Sequence, residues 1–61
     1  MVEIRTGRNG TSFLFDYSDG KVLVYIGERL HMTITDVVEE DEAFTNAVNS
    51  FMDSWDWANP R

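Results

Sequence analysis

The chain alternates apolar and polar residues through its first half and changes to a helical repeat in its second. Val2 and Ile4, then Phe13, Phe15 and Tyr17, then Val22, Val24 and Ile26 recur at every second position, the period of a strand with one buried face. Asn9-Gly10 and Asp19-Gly20 interrupt the alternation, and both dipeptides tolerate the positive φ angles of a two-residue type I′ hairpin turn. Read as two-residue loops, the first turn puts Arg8 opposite Thr11, Ile4 opposite Phe15 and Val2 opposite Tyr17. The second puts Ser18 opposite Lys21 and Phe15 opposite Val24. The two registers agree, and predict three rows on one face of an antiparallel meander: Val2/Tyr17/Val22, Ile4/Phe15/Val24 and Thr6/Phe13/Ile26. The other face would carry Glu3, Arg5 and Asp16 around an apolar island of Leu14, Leu23 and Tyr25, which another element, a second copy or a partner would cover.

Leu30, Met32 and Ile34 alternate after Gly27-Glu28-Arg29, which predicts a fourth strand at the sheet edge. A three-residue loop aligns Leu30 with Ile26 and continues the core face, and this register is favoured. A two- or four-residue loop would turn the same residues to the Leu14/Tyr25 face.

From Glu42 onward the period lengthens. Phe44, Ala47, Val48, Phe51, Met52 and Trp55 fall on one helical stripe. Asp41 is placed to cap this helix, Asp36 with Glu39 forms a competing capping box one turn earlier, and Asn59-Pro60 stops it. The expected fold class is α+β: an antiparallel meander of three to four strands (1–35), an acidic connection (36–41) and one amphipathic helix (42–57) packed across the aromatic face.

Composition narrows this to one small domain. The chain has 61 residues, no cysteine and a formal net charge of −6. Disulfide staples and thiolate metal clusters are excluded. No apolar run reaches the ~18 residues of a membrane span, and the first residues lack the apolar stretch of a secretory leader. A cytoplasmic location without membrane attachment is expected. The charge is unevenly placed: residues 1–33 carry four acids and four bases, while residues 34–61 carry seven acids against Arg61 alone. Direct nucleic-acid binding is not expected of an acidic chain, because clamps for nucleic acid neutralise phosphates with Lys and Arg, and it ranks third, on a modest patch of Arg5, Arg8 and Arg29 with Tyr25.

Candidate chemistry is sparse. His31 is the sole histidine and has no partner at metal-ligand spacing, the serines lack a nucleophile-elbow context, and the glycines form neither a phosphate loop nor a dinucleotide fingerprint. Neither catalytic residue, metal nor cofactor is expected. The run Glu39-Glu40-Asp41-Glu42 has a ready structural account as a first helical turn, where acids complement the dipole. Asp53 and Asp56 do not, because carboxylates near a helix C-terminus oppose the dipole and no base in that turn offsets them. Trp55 fits the core stripe. Trp57, two positions on, points elsewhere and either packs back on the helix end, which a domain this small favours, or anchors a partner.

These features predict a non-enzymatic interaction protein that docks its carboxylate-rich half, through Asp36, Glu39, Glu40, Glu42, Asn49, Asp53, Asp56 and Trp57, on a basic surface of a nucleic-acid-handling protein. Carboxylates recurring every ~6–7 Å would imitate successive phosphates. In size, charge and lack of cysteine the chain is similar to small acidic inhibitors carried by bacteriophages and mobile elements, including anti-restriction, anti-CRISPR and glycosylase-inhibitor proteins. The alternative is a structural or self-assembling subunit, monomer or homodimer, that uses Leu14, Leu23 and Tyr25 with the fourth-strand edge.

Overall fold

The computed structural model describes residues 1–38 and 41–60. Four strands, β1 (Val2–Thr6), β2 (Ser12–Ser18), β3 (Lys21–Ile26) and β4 (Arg29–Ile34), form one antiparallel sheet in the order β1-β2-β3-β4, followed by α1 (Glu42–Ala58). The α+β meander with a C-terminal helix is the architecture that the two periodicities predict.

The second hairpin adopts the expected register, with Ser18 opposite Lys21 and Phe15 opposite Val24. Asp19 and Gly20 both have positive φ, as a type I′ turn demands. The first hairpin departs from expectation by one residue. Thr6 pairs with Ser12, Arg5 with Phe13 and Glu3 with Phe15. Gly7 N–H donates to the Thr11 carbonyl (2.8 Å), Gly10 N–H donates to the Gly7 carbonyl (3.0 Å), and only Gly10 of the loop has positive φ. The loop therefore has three residues, Arg8-Asn9-Gly10, and ends in a left-handed glycine. A slip of one residue inverts a strand. Glu3 and Arg5 consequently face the helix, while Val2 and Ile4 face outward, 57% and 68% exposed.

β4 divides the competing expectations between its two halves. Gly27 and Glu28 make a two-residue loop, so Ile26 pairs with Arg29 and Tyr25 with Leu30, on the outer side. His31 is then an extra residue, a β-bulge, beyond which Met32 pairs with Val24 and Ile34 with Val22 on the core side. The favoured core-facing register is correct for Met32 and Ile34 and incorrect for Leu30.

α1 lies over β1 and β2 and runs in the direction of β1. Phe44 meets Tyr17 near its start, Asn49 reaches Arg5 midway, and Trp55 rests on Gly7 near its end. The buried core consists of Phe13, Phe15, Val22 and Val24 from the sheet, Phe44, Val48 and Met52 from the helix, and Val37 from the connection. Phe51 meets Phe13 and Phe15 edge-on with centroids 5.2 and 5.6 Å apart, a favourable aromatic geometry. Val37, read from sequence as part of an acidic connection, is a core residue. Its N–H donates to the Gly20 carbonyl (2.9 Å) and its own carbonyl accepts the Tyr17 hydroxyl (3.2 Å), fixing the connection to the second hairpin.

The helix begins at Glu42, and 35–38 are not helical, so the earlier start at Asp36 is not taken. Asp41 occupies the N-cap position, but its helical φ and ψ keep its side chain from making a capping bond. Asn59 closes the other end, with its backbone N–H (2.8 Å) and side-chain Nδ2 (3.0 Å) both donating to the Trp55 carbonyl.

Candidate functional site

The predicted docking residues separate into three groups. Glu39 and Glu40 lie outside the described residues. Asp36 is exposed at the end of β4, in the left-handed region (φ 62°) that Asp tolerates, and is not part of the helix surface. The remaining five are on α1.

Two of those five already serve the fold. Asn49 Oδ1 accepts a hydrogen bond from Arg5 Nη2 (2.8 Å), and Arg5 also pairs with Glu3. These bonds satisfy the polar inner face that the slip of β1 turns toward the helix. Asp56 Oδ1 accepts the backbone N–H of Arg8 (2.9 Å). Its unfavourable place at the helix C-terminus, which the sequence left without a structural account, is thus explained by a tie to the first hairpin.

Glu42, Asp53 and Trp57 remain open to solvent. With Asn46 they recur at helical spacings of four, seven and four residues, forming a ridge on the side of α1 opposite Phe44, Val48 and Met52. Trp57 does not fold back. It is 87% exposed, one turn beyond Asp53, on a helix that contains no Lys or Arg. Trp55 lies in the core stripe as predicted, meeting Phe13 edge-on at 4.9 Å, and His31 packs against Phe51 and Trp55 at centroid distances of 6.1 and 5.9 Å. The lone histidine has an aromatic packing role here.

Two further surfaces carry apolar area. An open groove of about 600 Å³ runs between α1 and β4, with Met32, Ile34, Phe51 and Trp55 as its large lining residues. It exists because the flank of α1 toward β4 presents small side chains, Ala47, Ser50, Ser54 and Ala58, which leave that edge of the sheet incompletely covered. Their helical spacing is a signal in the sequence that the core stripe overshadowed.

The larger surface is the outer side of the sheet, which no element among the described residues covers. Register places Ile4, Leu14, Tyr25 and Leu30 in one cross-strand row and Val2, Asp16, Leu23 and Thr33 in the next. The predicted island of Leu14, Leu23 and Tyr25 is therefore only its centre. Val2 and Ile4 join it through the slip of β1, and Leu30 through the two-residue Gly27-Glu28 loop that precedes the bulge in β4. No protein-family model, curated protein or solved structure matches this chain. Among the described residues, no group of three or more His, Asp or Glu converges as a metal site would require, and no helix is long and apolar enough to cross a membrane.

Proposed function

We propose that this chain is a non-enzymatic interaction module that docks the solvent ridge of α1 on a basic protein surface. The observation that carries the reading is the exposure of Trp57 beside Asp53. Trp is among the residues most enriched at binding hot spots, and leaving its ring in water forgoes roughly 2–3 kcal/mol of burial that a partner pocket would recover. Glu42 and Asp53 supply acceptors for Arg or Lys, and the absence of any base on α1 leaves them open to a cationic partner. A nucleic-acid-handling protein fits this chemistry, since its own binding site must be positive to hold phosphates. Occupying that site would make the chain an inhibitor or modulator.

The ridge acts through an anchored acidic patch more than through imitation of phosphate spacing. Glu42 and Asp53 are eleven residues apart, about 16 Å along a helix, more than twice the spacing of successive phosphates. Affinity capture on the tagged chain at low and high salt, followed by mass spectrometry, tests the reading. A salt-sensitive basic protein retained by the wild type should be lost with Trp57→Ala and weakened with Asp53→Asn. Capture unchanged by both substitutions would overturn it. Asp56 is left intact in these variants because it holds the fold together.

A further inference from the structure

We infer that the outer face of the sheet is covered by a second copy of the same chain, in a twofold face-to-face dimer whose helices lie on the outside. This surface is separate from the helix ridge and does not depend on the function proposed for it.

The first argument is the register of β1. The alternative register would bury Val2 and Ile4 beneath the helix and expose Glu3 and Arg5, which is what a monomer with water on its outer face requires. The chain instead presents Val2, Ile4 and Leu30 outward, each more than half exposed, around the half-buried Leu14, Leu23 and Tyr25. Apolar residues gathered on one side of a sheet call for a second layer.

Area is the second argument. Four strands spaced ~4.8 Å, over five residues of ~3.4 Å each, project roughly 300 Å². Side-chain relief raises the accessible area to the order of 500–600 Å² per copy, so two faces bury about 1,000–1,200 Å², the threshold for a specific interface.

Charge supplies the third. The outward side chains of the strands include only two charged ones, Asp16 and Lys21, of opposite sign. With the twofold axis along the strands, β2 of one copy lies over β3 of the other. Asp16 then sits above Leu23 of the second copy, and Lys21, two residues before that leucine, comes within side-chain reach of it. Each copy contributes one such pair, so the carboxylate entering the interface meets a cation. The acids of α1 do not oppose assembly, because the two helices lie about 30 Å apart, several times the ~8 Å Debye length at physiological salt. Sheets packed this way stand about 10 Å apart with strands some 30° from parallel.

Sedimentation velocity and light scattering from 1 to 200 µM test the inference. The expected result is a species of twice the 7.0 kDa chain mass, persisting in high salt because the contact is mainly apolar. Ile4→Asp, at a position exposed in the single chain, should weaken association at least tenfold while far-UV circular dichroism stays unchanged. Asp16→Lys should weaken it, and Asp16→Lys with Lys21→Asp should restore it; that pair decides the matter if Ile4→Asp fails to fold. Trp57→Ala should leave the dimer intact, which separates this surface from the ridge. A wild-type monomer throughout the range, a dimer indifferent to Ile4→Asp and to the charge exchange, or a monomer whose sheet face instead binds lipid vesicles would each overturn the inference.

Discussion

The Asp56 carboxylate accepts the Arg8 backbone N–H at 2.9 Å, joining the last turns of the helix to the first hairpin 48 residues away. A hydrogen bond to a charged group contributes roughly 1.5–3 kcal/mol, whereas a carboxylate at a helix C-terminus costs about 0.3–1 kcal/mol. The bond outweighs the dipole. Asp56→Ala should therefore destabilise the domain by about 1 kcal/mol in urea unfolding, and Asp56→Asn, which keeps an acceptor and relieves the dipole, by less than about 0.5 kcal/mol. A more stable Asp56→Ala variant would show that the dipole dominates.

A side chain at Gly7 would crowd the end of the helix. A Cβ there would stand 3.0 Å from Trp55 Cδ1, 3.1 Å from its Nε1 and 3.2 Å from Asp56 Oδ1. Gly7→Ala should cost about 1–3 kcal/mol, as overpacking in a fitted contact does. The cost should fall in the Trp55→Phe background, since the two positions share the contact. A double-mutant cycle by chemical denaturation measures this coupling, and strictly additive losses would argue against the steric account.

The two tryptophans should behave as opposites. Trp55→Ala removes a ring packed on Phe13 and Phe51 and should cost about 3–5 kcal/mol, while Trp57→Ala, at 87% exposure, should change stability by less than about 0.5 kcal/mol. Fluorescence offers an independent check. The Trp57→Phe variant should emit at shorter wavelength than Trp55→Phe and resist acrylamide quenching more strongly.

Val37 and Val38 are chemically identical neighbours in different environments, 5% and 83% exposed. Val37→Ala should destabilise the domain by about 1–3 kcal/mol through the cavity it leaves in the buried core, and Val38→Ala should be close to neutral. Thermal melts of the pair distinguish a core plug from a connection that merely spans the gap.

The strands, their order and the helix were legible because their signals are local. Asp19-Gly20 demands left-handed backbone at both positions and so dictates its turn, and the spacing from Phe44 to Trp55 admits only a helix with one apolar stripe. The two-residue reading of Asn9-Gly10 is incorrect. The same dipeptide serves a two-residue or a three-residue loop, and the choice inverts β1. The core demand of Val2 and Ile4 points to the shorter loop, but the longer one turns Gly7 inward, where it fits closely against Trp55 and Asp56. The candidate site divides in the same way. Trp57 was marked by its offset from Trp55, whereas the internal bonds of Asn49 and Asp56 depend on distant chain segments that no spacing rule reports.

The sequence by itself determined which segments are strands and helix, the register of the second hairpin and the confinement of negative charge to the second half, all of which follow from residues close together in the chain. The tertiary structure alone decided which side of β1 faces the helix, how the bulge at His31 divides β4, and which helical acids remain open to solvent. The reason is physical: period two defines two faces but does not say which one is covered, and that choice belongs to the long-range fit between Gly7 and the end of α1.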